Sequence, residues 1–269
     1  MQLVTQAPYA RKKLKIICVT NQKGGCGKST ITVNVSGALA AKGYHVGIMD
    51  IDPTANSTMW INKRELGDPE LLSISIDQLE AVIPKLDAGG LDFLIIDTPG
   101  FKHNDIFALL RLGDLLVLPS KASYFDLWST VESLASLSAK EVHTPRMFVL
   151  NEVHPSTNIA TDAVVALSAA GRLGPTIHYK AGFVNSLKTG STLAEIDKRN
   201  KGAREIAALT DAILMQLGFH VENPVIIDPL TKEEGKKKVV KQPSKHAKIA
   251  LDDQAGEGSG KGSSKSAGK

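Results

Sequence analysis

Short runs of apolar residues alternate along the chain with longer segments of helical length. The apolar runs are predicted to be strands, and they comprise Leu14–Thr20, His45–Asp50, Leu91–Asp97, Asp114–Pro119, Arg146–Asn151 and Pro175–His178. Most of them are continuous in Val, Ile and Leu, which is typical of strands covered on both faces. The segments predicted to be helices are Ser29–Lys42, Phe125–Ala139, Ile159–Ala170 and Lys201–Leu217.

The alternation of strands and helices indicates the fold class. In the last helix, Ile206, Leu209, Ile213 and Leu217 recur at helical spacing and form one apolar face. Strands that are separated by helices form βαβ units, in which the strands run parallel. We therefore predict an α/β fold with a doubly wound, mostly parallel sheet flanked by helices. Ligands of such sheets bind beyond the carboxyl ends of the strands.

Composition divides the chain into three parts. Residues 1–13 are predicted to be a flexible lead-in, and residues 14–220 to form a single domain. Residues 221–269 contain three prolines, the lysine run 236–238 and the ending GEGSGKGSSKSAGK. Such a segment buries too little apolar surface to offset the entropy lost on ordering, so we predict a disordered C-terminal tail.

The charge of the chain is concentrated near its end. The 269 residues carry a formal net charge of +4, and residues 221–269 hold ten lysines and seven acidic residues, a balance of +3. A nucleic-acid site in the nearly neutral remainder has to be a local basic patch. There is no run of ~18 apolar residues and no signal-peptide pattern, and the chain has only two cysteines. We therefore expect a cytoplasmic protein without a membrane partner.

A glycine-rich loop follows the first predicted strand and leads into a predicted helix. It reads NQKGGCGKST and includes Lys23, Gly24, Gly25, Cys26, Gly27, Lys28, Ser29 and Thr30. Glycines let backbone N–H groups turn onto phosphate oxygens, and a helix N-terminus favours negative charge. We expect Lys28 to reach the β- and γ-phosphates of a nucleotide and Ser29 to coordinate Mg²⁺. Because GxxxxGK[ST] fails only at Gln22, the loop predicts a domain of the P-loop NTPase type.

Carboxylates follow two other predicted strands at the same edge of the sheet. Asp97 ends the run DFLIID, and Asp50 and Asp52 end the preceding strand, two positions apart. Nucleotide hydrolysis needs a metal ion to offset phosphate charge and a group to position water. Beside a phosphate loop, Asp97 is therefore predicted to hold Mg²⁺ through a water molecule. For Asp52 an alternative stays open, because aspartate before proline is a common turn starter.

Four segments together resemble the ParA/MinD family of ATPases. KGGCGKST, residues 23–30, resembles the deviant Walker A loop, in which the early lysine is a signature residue. DIDPTANST, residues 50–58, looks like the DxDPQ segment, and LIIDTP, residues 94–99, looks like the Walker B strand. LVLP and YFDL, within residues 116–127, are similar to the segment after the next ParA strand. The resemblance covers roughly residues 14–218, and it departs at Thr54, where the family usually has glutamine, so no role is assigned to Thr54.

The resemblance implies a Mg²⁺-dependent ATPase of the short ParA type with weak intrinsic turnover. It assigns Asp52 to orienting the attacking water and Asp50 to the outer shell of the metal. It assigns Asn151 to the adenine base, although Asn151 also fits a cap or turn. It implies that Lys23 contacts the nucleotide bound by a second subunit, so that the ATP-bound protein is a homodimer. The implied partners are nonspecific double-stranded DNA on the nucleoid and a ParB-type centromere-binding protein.

A basic cluster precedes and enters the last predicted helix. Its members are Lys180, Lys188, Lys198, Arg199, Lys201 and Arg204. Cations that neutralise several phosphates give sequence-independent, salt-sensitive affinity, so the cluster is a candidate DNA-binding surface. The alternative is a solvated polar face, because acidic residues lie among the basic ones.

The predicted function is the segregation or positioning of a DNA cargo, such as a plasmid or chromosome. Two alternatives stay open: a positioning ATPase for a non-DNA cargo, MinD-like or a protein cluster, and a small-molecule P-loop kinase or ligase. A MinD-like role needs an amphipathic C-terminal helix, and the ending GSGKGSSKSAGK has no apolar face.

Overall fold

The computed structural model of the chain describes residues 14–100, 105–154 and 159–227. The strands in these ranges are β1 (Lys15–Val19), β2 (Val46–Asp50), β3 (Glu70–Leu71), β4 (Phe93–Asp97), β5 (Leu115–Ser120), β6 (Arg146–Leu150) and β7 (Arg172–Leu173). The helices are α1 (Lys28–Ala41), α2 (Asn56–Ile61), α3 (Ile76–Gly89), α4 (Asp105–Leu112), α5 (Tyr124–Ala139), α6 (Ile159–Ala170), α7 (Ala181–Leu187), α8 (Leu193–Ile196) and α9 (Lys201–Gln216). The predicted lead-in and most of the predicted tail lie outside the described residues.

The strands form one parallel sheet in the order β3-β2-β4-β1-β5-β6-β7. From β1 the chain builds one half of the sheet through β2, β3 and β4, and the other half through β5, β6 and β7. The predicted doubly wound α/β fold is therefore confirmed. The register pairs Val19 of β1 and Asp50 of β2 with Asp97 of β4, so three strands end side by side at one edge.

Each face of the sheet is covered by its own set of helices. Because side chains alternate along a strand, Ile16 and Cys18 of β1 join one core cluster, and Ile17 and Val19 join the other. The first cluster includes side chains of α3, α4, α5 and α6, and the second includes side chains of α1 and α9. Burial on both faces explains why the central strands read as continuous apolar runs.

The edges of the sheet differ from the prediction. The last strand, β7, is Arg172–Leu173, whereas the predicted strand Pro175–His178 makes one isolated bridge, between His178 and Val153. The Gly174 and Ile177 N–H groups still donate to Phe148 O and Leu150 O of β6, both at 2.8 Å, but Pro175 between them has no N–H with which to continue the ladder. Strand β3 and the helices α2, α3, α4, α7 and α8 lie outside the predicted elements.

All described residues belong to one compact unit. At its end, the Val225 N–H donates to Asp211 of α9 at 2.9 Å, and Lys42 pairs with the same carboxylate at 2.7 Å. Residues 221–227, the start of the predicted tail, thus contact α9. Across the described ranges, no helix has the length and apolar character that crossing a bilayer requires.

Candidate functional site

The glycine-rich loop, residues 21–27, joins β1 to α1 at the carboxyl edge of the sheet. Its backbone is left-handed at Gly25 and Gly27, with φ of +71° and +97°, a conformation that glycine adopts without strain. Gly27 is the N-cap residue of α1, so the first N–H groups of the helix border the loop. The Lys28 side chain is buried, and its Nζ donates to the Lys23 carbonyl at 3.5 Å. The amine therefore lies within the curve of the loop.

Side chains of neighbouring elements hold the loop in this shape. Asn21 Nδ2 donates to Pro119 O at 2.7 Å, and Ser133 Oγ of α5 donates to Asn21 Oδ1 at 3.2 Å. Farther along the loop, Asn151 Nδ2 donates to Cys26 O at 2.9 Å. Burial raises the pKa of the Cys26 thiol, so the thiol stays protonated, and its Sγ donates to Lys23 O at 3.3 Å within the loop. The loop is thus preorganised for a ligand.

Replacing Gly27 with alanine is expected to destabilise the nucleotide-free protein by roughly 1–3 kcal/mol, because alanine is strained at positive φ. A Cβ at this position would also lie 2.0 Å from Asn151 Nδ2 and displace the amide from Cys26. Gly24→Ala is the matched control, since a Cβ there meets nothing within 4 Å. Urea unfolding should separate the two variants. Equal stabilities would contradict the described loop geometry.

Two carboxylates end β4 and β2 beside the loop. Asp97 is fully buried; its Oδ2 accepts from Ser57 Oγ at 2.7 Å, and its Oδ1 has no partner within the described parts of the chain. Asp50 accepts from the N–H groups of Asp52 at 3.1 Å and Thr58 at 2.8 Å. Mg²⁺ prefers oxygen ligands and keeps several of its waters. The unpartnered Oδ1 of Asp97 can accept from such a water, so the residues fit the predicted ion.

Burial raises the pKa of Asp97 from 3.8 to about 6. The nearby Asp50 charge adds to the shift, while Ser57, Ser29 and Lys28 oppose it. A raised pKa means that the folded protein binds this proton more tightly than the unfolded chain does. The contribution of Asp97 to stability is therefore lost as pH rises from 3.8 through about 6. Above that range, the nucleotide-free site holds a buried negative charge.

In the absence of Mg²⁺ and nucleotide, Asp97→Asn is expected to stabilise the protein by roughly 3 kcal/mol above pH 6, because the neutral amide removes that charge. The difference should vanish near pH 4, where the wild-type carboxyl is protonated. Addition of Mg²⁺ and ATP should stabilise the wild type more than the variant, since only the carboxylate attracts the cation. Urea unfolding over this pH range measures both effects. A variant less stable than the wild type above pH 6 without ligand would contradict the assignment.

The loop borders a cavity of about 610 Å³. Its lining includes Gly24, Gly25, Gly27, Lys28, Ser29, Thr30, Asp52 and Thr54. This volume lies within the ~300–1,000 Å³ of small-molecule sites. The cavity thus joins most of the predicted phosphate-binding residues to Asp52, the residue predicted to orient water.

Two other predicted site residues, Lys23 and Asn151, do not line the cavity. Lys23 is exposed, next to the exposed glycines of the loop. Asn151 is buried, and its amide nitrogen is already engaged by Cys26 O. In this structure Asn151 therefore supports the loop, and its role at the adenine base stays a prediction.

The basic cluster is divided by the fold. Lys188 lines the cavity together with Lys63, whereas Lys180 is the N-cap residue of α7 and is half-buried. The remaining members are exposed and lie just before or within the first turn of α9: Lys198, Arg199, Lys201 and Arg204. These four exposed residues lie within seven positions of the chain, 198–204, and are called the basic segment below.

Helix α2, which the sequence pattern does not predict, connects the carboxylates to the segment that precedes Lys198. Its Ser57 donates to Asp97, and its Trp60 Nε1 donates to Ser191 O at 3.0 Å. Just beyond the helix, the buried Arg64 side chain forms paired hydrogen bonds with Glu195 at 2.9 and 2.6 Å. In the sequence, these residues are marked only by their position in the segment after Asp52. Their partners lie at least 40 residues away along the chain.

Three features define a P-loop nucleotide-binding domain. They are a parallel sheet, a glycine-rich loop between its first strand and a helix, and an acidic residue that ends the adjacent strand. Residues 17–203 match the family described as the CobQ/CobB/MinD/ParA nucleotide binding domain. The chain belongs to this family, which includes the ParA- and MinD-type positioning ATPases.

Individual relatives agree with this assignment. The chain is 25% identical over 206 residues to "Maintenance of carboxysome distribution protein A" from Halothiobacillus neapolitanus, covering 73% of this chain and 94% of that protein. It is 28% identical over 218 residues to "Chromosome partitioning protein ParA" from Caulobacter vibrioides, covering 72% and 74% of the two chains. A chain of the MinC:MinD cell division protein complex from Aquifex aeolicus shares the fold, with a TM-score of 0.65, 16% identity and coverage of 77% and 98%.

Proposed function

We propose that the protein is an ATP-dependent switch that dimerises around ATP, binds nonspecific double-stranded DNA in that state and so positions a cargo. One observation carries the proposal. The buried Lys28 and the half-buried Ser29 line the same cavity as Asp52, beside a buried carboxylate, Asp97, whose Oδ1 has no partner among the described residues. This combination suits binding and slow hydrolysis of a nucleoside triphosphate.

Each residue has a separate task in the proposed hydrolysis. Lys28 and the loop N–H groups bind the phosphates, and Ser29 would coordinate Mg²⁺ directly, with Asp97 and Asp50 acting through its waters. When bound, Mg²⁺ offsets charge on the β- and γ-phosphate oxygens. Asp52 orients the attacking water. Intrinsic turnover is expected to be weak, and a ParB-type partner is proposed to stimulate it.

The proposed dimerisation depends on Lys23, the lysine of the loop that Lys28 leaves without a role. Lys28 already serves the nucleotide of its own subunit, whereas Lys23 is exposed. We propose that Lys23 reaches the phosphates bound by a second copy of the chain, so that intact ATP joins the two subunits. Loss of the γ-phosphate then weakens the interface, and hydrolysis sets the lifetime of the dimer.

The cargo has two candidate classes. A DNA cargo, plasmid or chromosome, is supported by the relative named for chromosome partitioning. A protein cluster is supported by the relative named for carboxysome distribution. In both cases the nucleoid would serve as the matrix, bound by the exposed basic segment Lys198, Arg199, Lys201 and Arg204.

Binding to a random-sequence duplex with ATP, with ADP and without nucleotide tests the proposal. We expect binding with ATP only, and a steep fall with salt because each neutralised phosphate contributes about −0.9 to the slope of log affinity against log salt. Replacing Lys198, Lys201 and Arg204 with alanine should abolish binding and leave ATP binding intact.

The exposed residues Lys85, Lys140 and Arg172 provide a control with the same charge loss away from α9. The same assay on a chain ending at Ile227, which keeps the hydrogen bond between Val225 and Asp211 of α9, measures the contribution of the lysine-rich end. Equal binding with ATP and ADP, or none at any salt, would refute the proposal and favour the small-molecule kinase or ligase.

A further inference from the structure

Thr54, the position at which the chain departs from the ParA pattern, contacts the carboxylate of Asp52. The Thr54 N–H donates to Asp52 Oδ1 at 2.9 Å, and the Thr54 hydroxyl donates to the same oxygen at 2.8 Å. Both residues line the cavity that contains the phosphate loop. One carboxylate oxygen is therefore held by two donors from a single neighbour.

The direction of the hydroxyl proton follows from a third residue. Asn56 Nδ2 donates to Thr54 Oγ1 at 3.0 Å. A hydroxyl has one proton, so an oxygen that accepts from Asn56 directs its own proton to Asp52. Asn56 also lines the cavity, and the three polar side chains form one chain of hydrogen bonds along its wall.

The backbone places these three residues in and beside one turn. The Ala55 N–H donates to Asp52 O at 2.8 Å, which closes a turn over residues 52–55. Pro53 occupies the second position of the turn, where its fixed φ suits the turn and limits the alternatives. Little conformational entropy is lost in forming contacts between residues two positions apart, which favours this geometry at an exposed site.

We propose that Thr54 is a positioning residue for hydrolysis: it holds Oδ1 of Asp52 and leaves Oδ2 to orient the attacking water. The inference rests on the proposed role of Asp52. Without the hydroxyl, the carboxylate rotates more freely and presents the correct oxygen less often. Because a positioned group acts through geometry, the effect appears in kcat and leaves nucleotide binding unchanged.

Thr54→Val removes the hydroxyl and keeps the shape of the side chain. It is expected to lower kcat about 10-fold, part of the roughly 10²- to 10⁴-fold contribution of a positioned acid–base group. KM, ATP affinity and thermal stability should stay at wild-type values. Thr54→Ser, which keeps the hydroxyl, should restore most of kcat. In an Asp52→Asn background, Thr54→Val should have no further effect.

Several results would overturn this inference. Wild-type kcat in Thr54→Val would show that the hydroxyl does not act, and a loss of kcat in Thr54→Ser equal to that in Thr54→Val would exclude the hydroxyl as the cause. A further 10-fold loss in the Asp52→Asn background would show that Thr54 acts independently of Asp52. Failure of the proposed function is distinguishable, because then the wild type hydrolyses no ATP or Asp52→Asn alone turns over normally. Either of those results overturns both.

Discussion

Replacing Lys28 with alanine is expected to lower ATP turnover by at least about 100-fold, the scale of losing one preorganised electrostatic contact to a transition state. The Lys28 amine is buried in the curve of the loop, so a nucleotide phosphate would meet it in a site that excludes much of the water. Its charge interacts with the phosphates before and during hydrolysis. The variant should therefore lose both ATP affinity and kcat.

Phosphate release and equilibrium ATP binding measure this effect. Lys85→Ala is the control, since Lys85 is exposed on α3 and distant in sequence from the loop. The control should behave as the wild type does. Wild-type ATP binding and turnover in Lys28→Ala would refute the phosphate-loop assignment.

The second large effect is expected on assembly. Asp52→Ala should slow hydrolysis by about 10²- to 10⁴-fold, since it removes the group proposed to orient water. The loop that binds phosphate does not include Asp52, so ATP binding should be retained. The variant is therefore expected to form a stable dimer with ATP, as measured by light scattering.

Adding Lys23→Ala to Asp52→Ala should return the protein to a monomer in ATP, because the proposed contact across the interface is lost. Lys85→Ala in the same background should leave the dimer intact. If the Lys23 double variant still dimerised with ATP, Lys23 would not be the contact between subunits.

The central fold could be predicted from the sequence because its strands are buried on both faces. β1, β2, β4, β5 and β6 all lie within the predicted runs, give or take one residue. β3 and β7 have two residues each, too few to produce a pattern. Helix α3 carries Ile76, Leu79, Ile83 and Leu86 at helical spacing, but Pro84 within it is a helix-breaking signal.

The site could be predicted only where chemistry is local in sequence. The glycine-rich loop and Asp97 belong to recognisable sequence motifs, and the order of these motifs along the chain indicates their roles. Ser57 and Asn21 gain their roles from contacts 40 and 112 residues away, with Asp97 and Ser133 respectively. Such contacts depend on the assembled sheet. Helix α2 is likewise a six-residue helix held by its tertiary contacts, with no periodic pattern of its own.

The most direct test of the central claim follows DNA binding through one round of ATP consumption. Wild-type protein and a labelled duplex receive a limited amount of ATP with Mg²⁺, while anisotropy and phosphate release are recorded together. With wild-type protein, we predict that the anisotropy rises and then returns to its starting value as the ATP is consumed. With Asp52→Ala, the anisotropy should rise and stay high. Wild-type anisotropy that does not change when ATP is added, or that stays high after all ATP is hydrolysed, would contradict a switch driven by ATP hydrolysis.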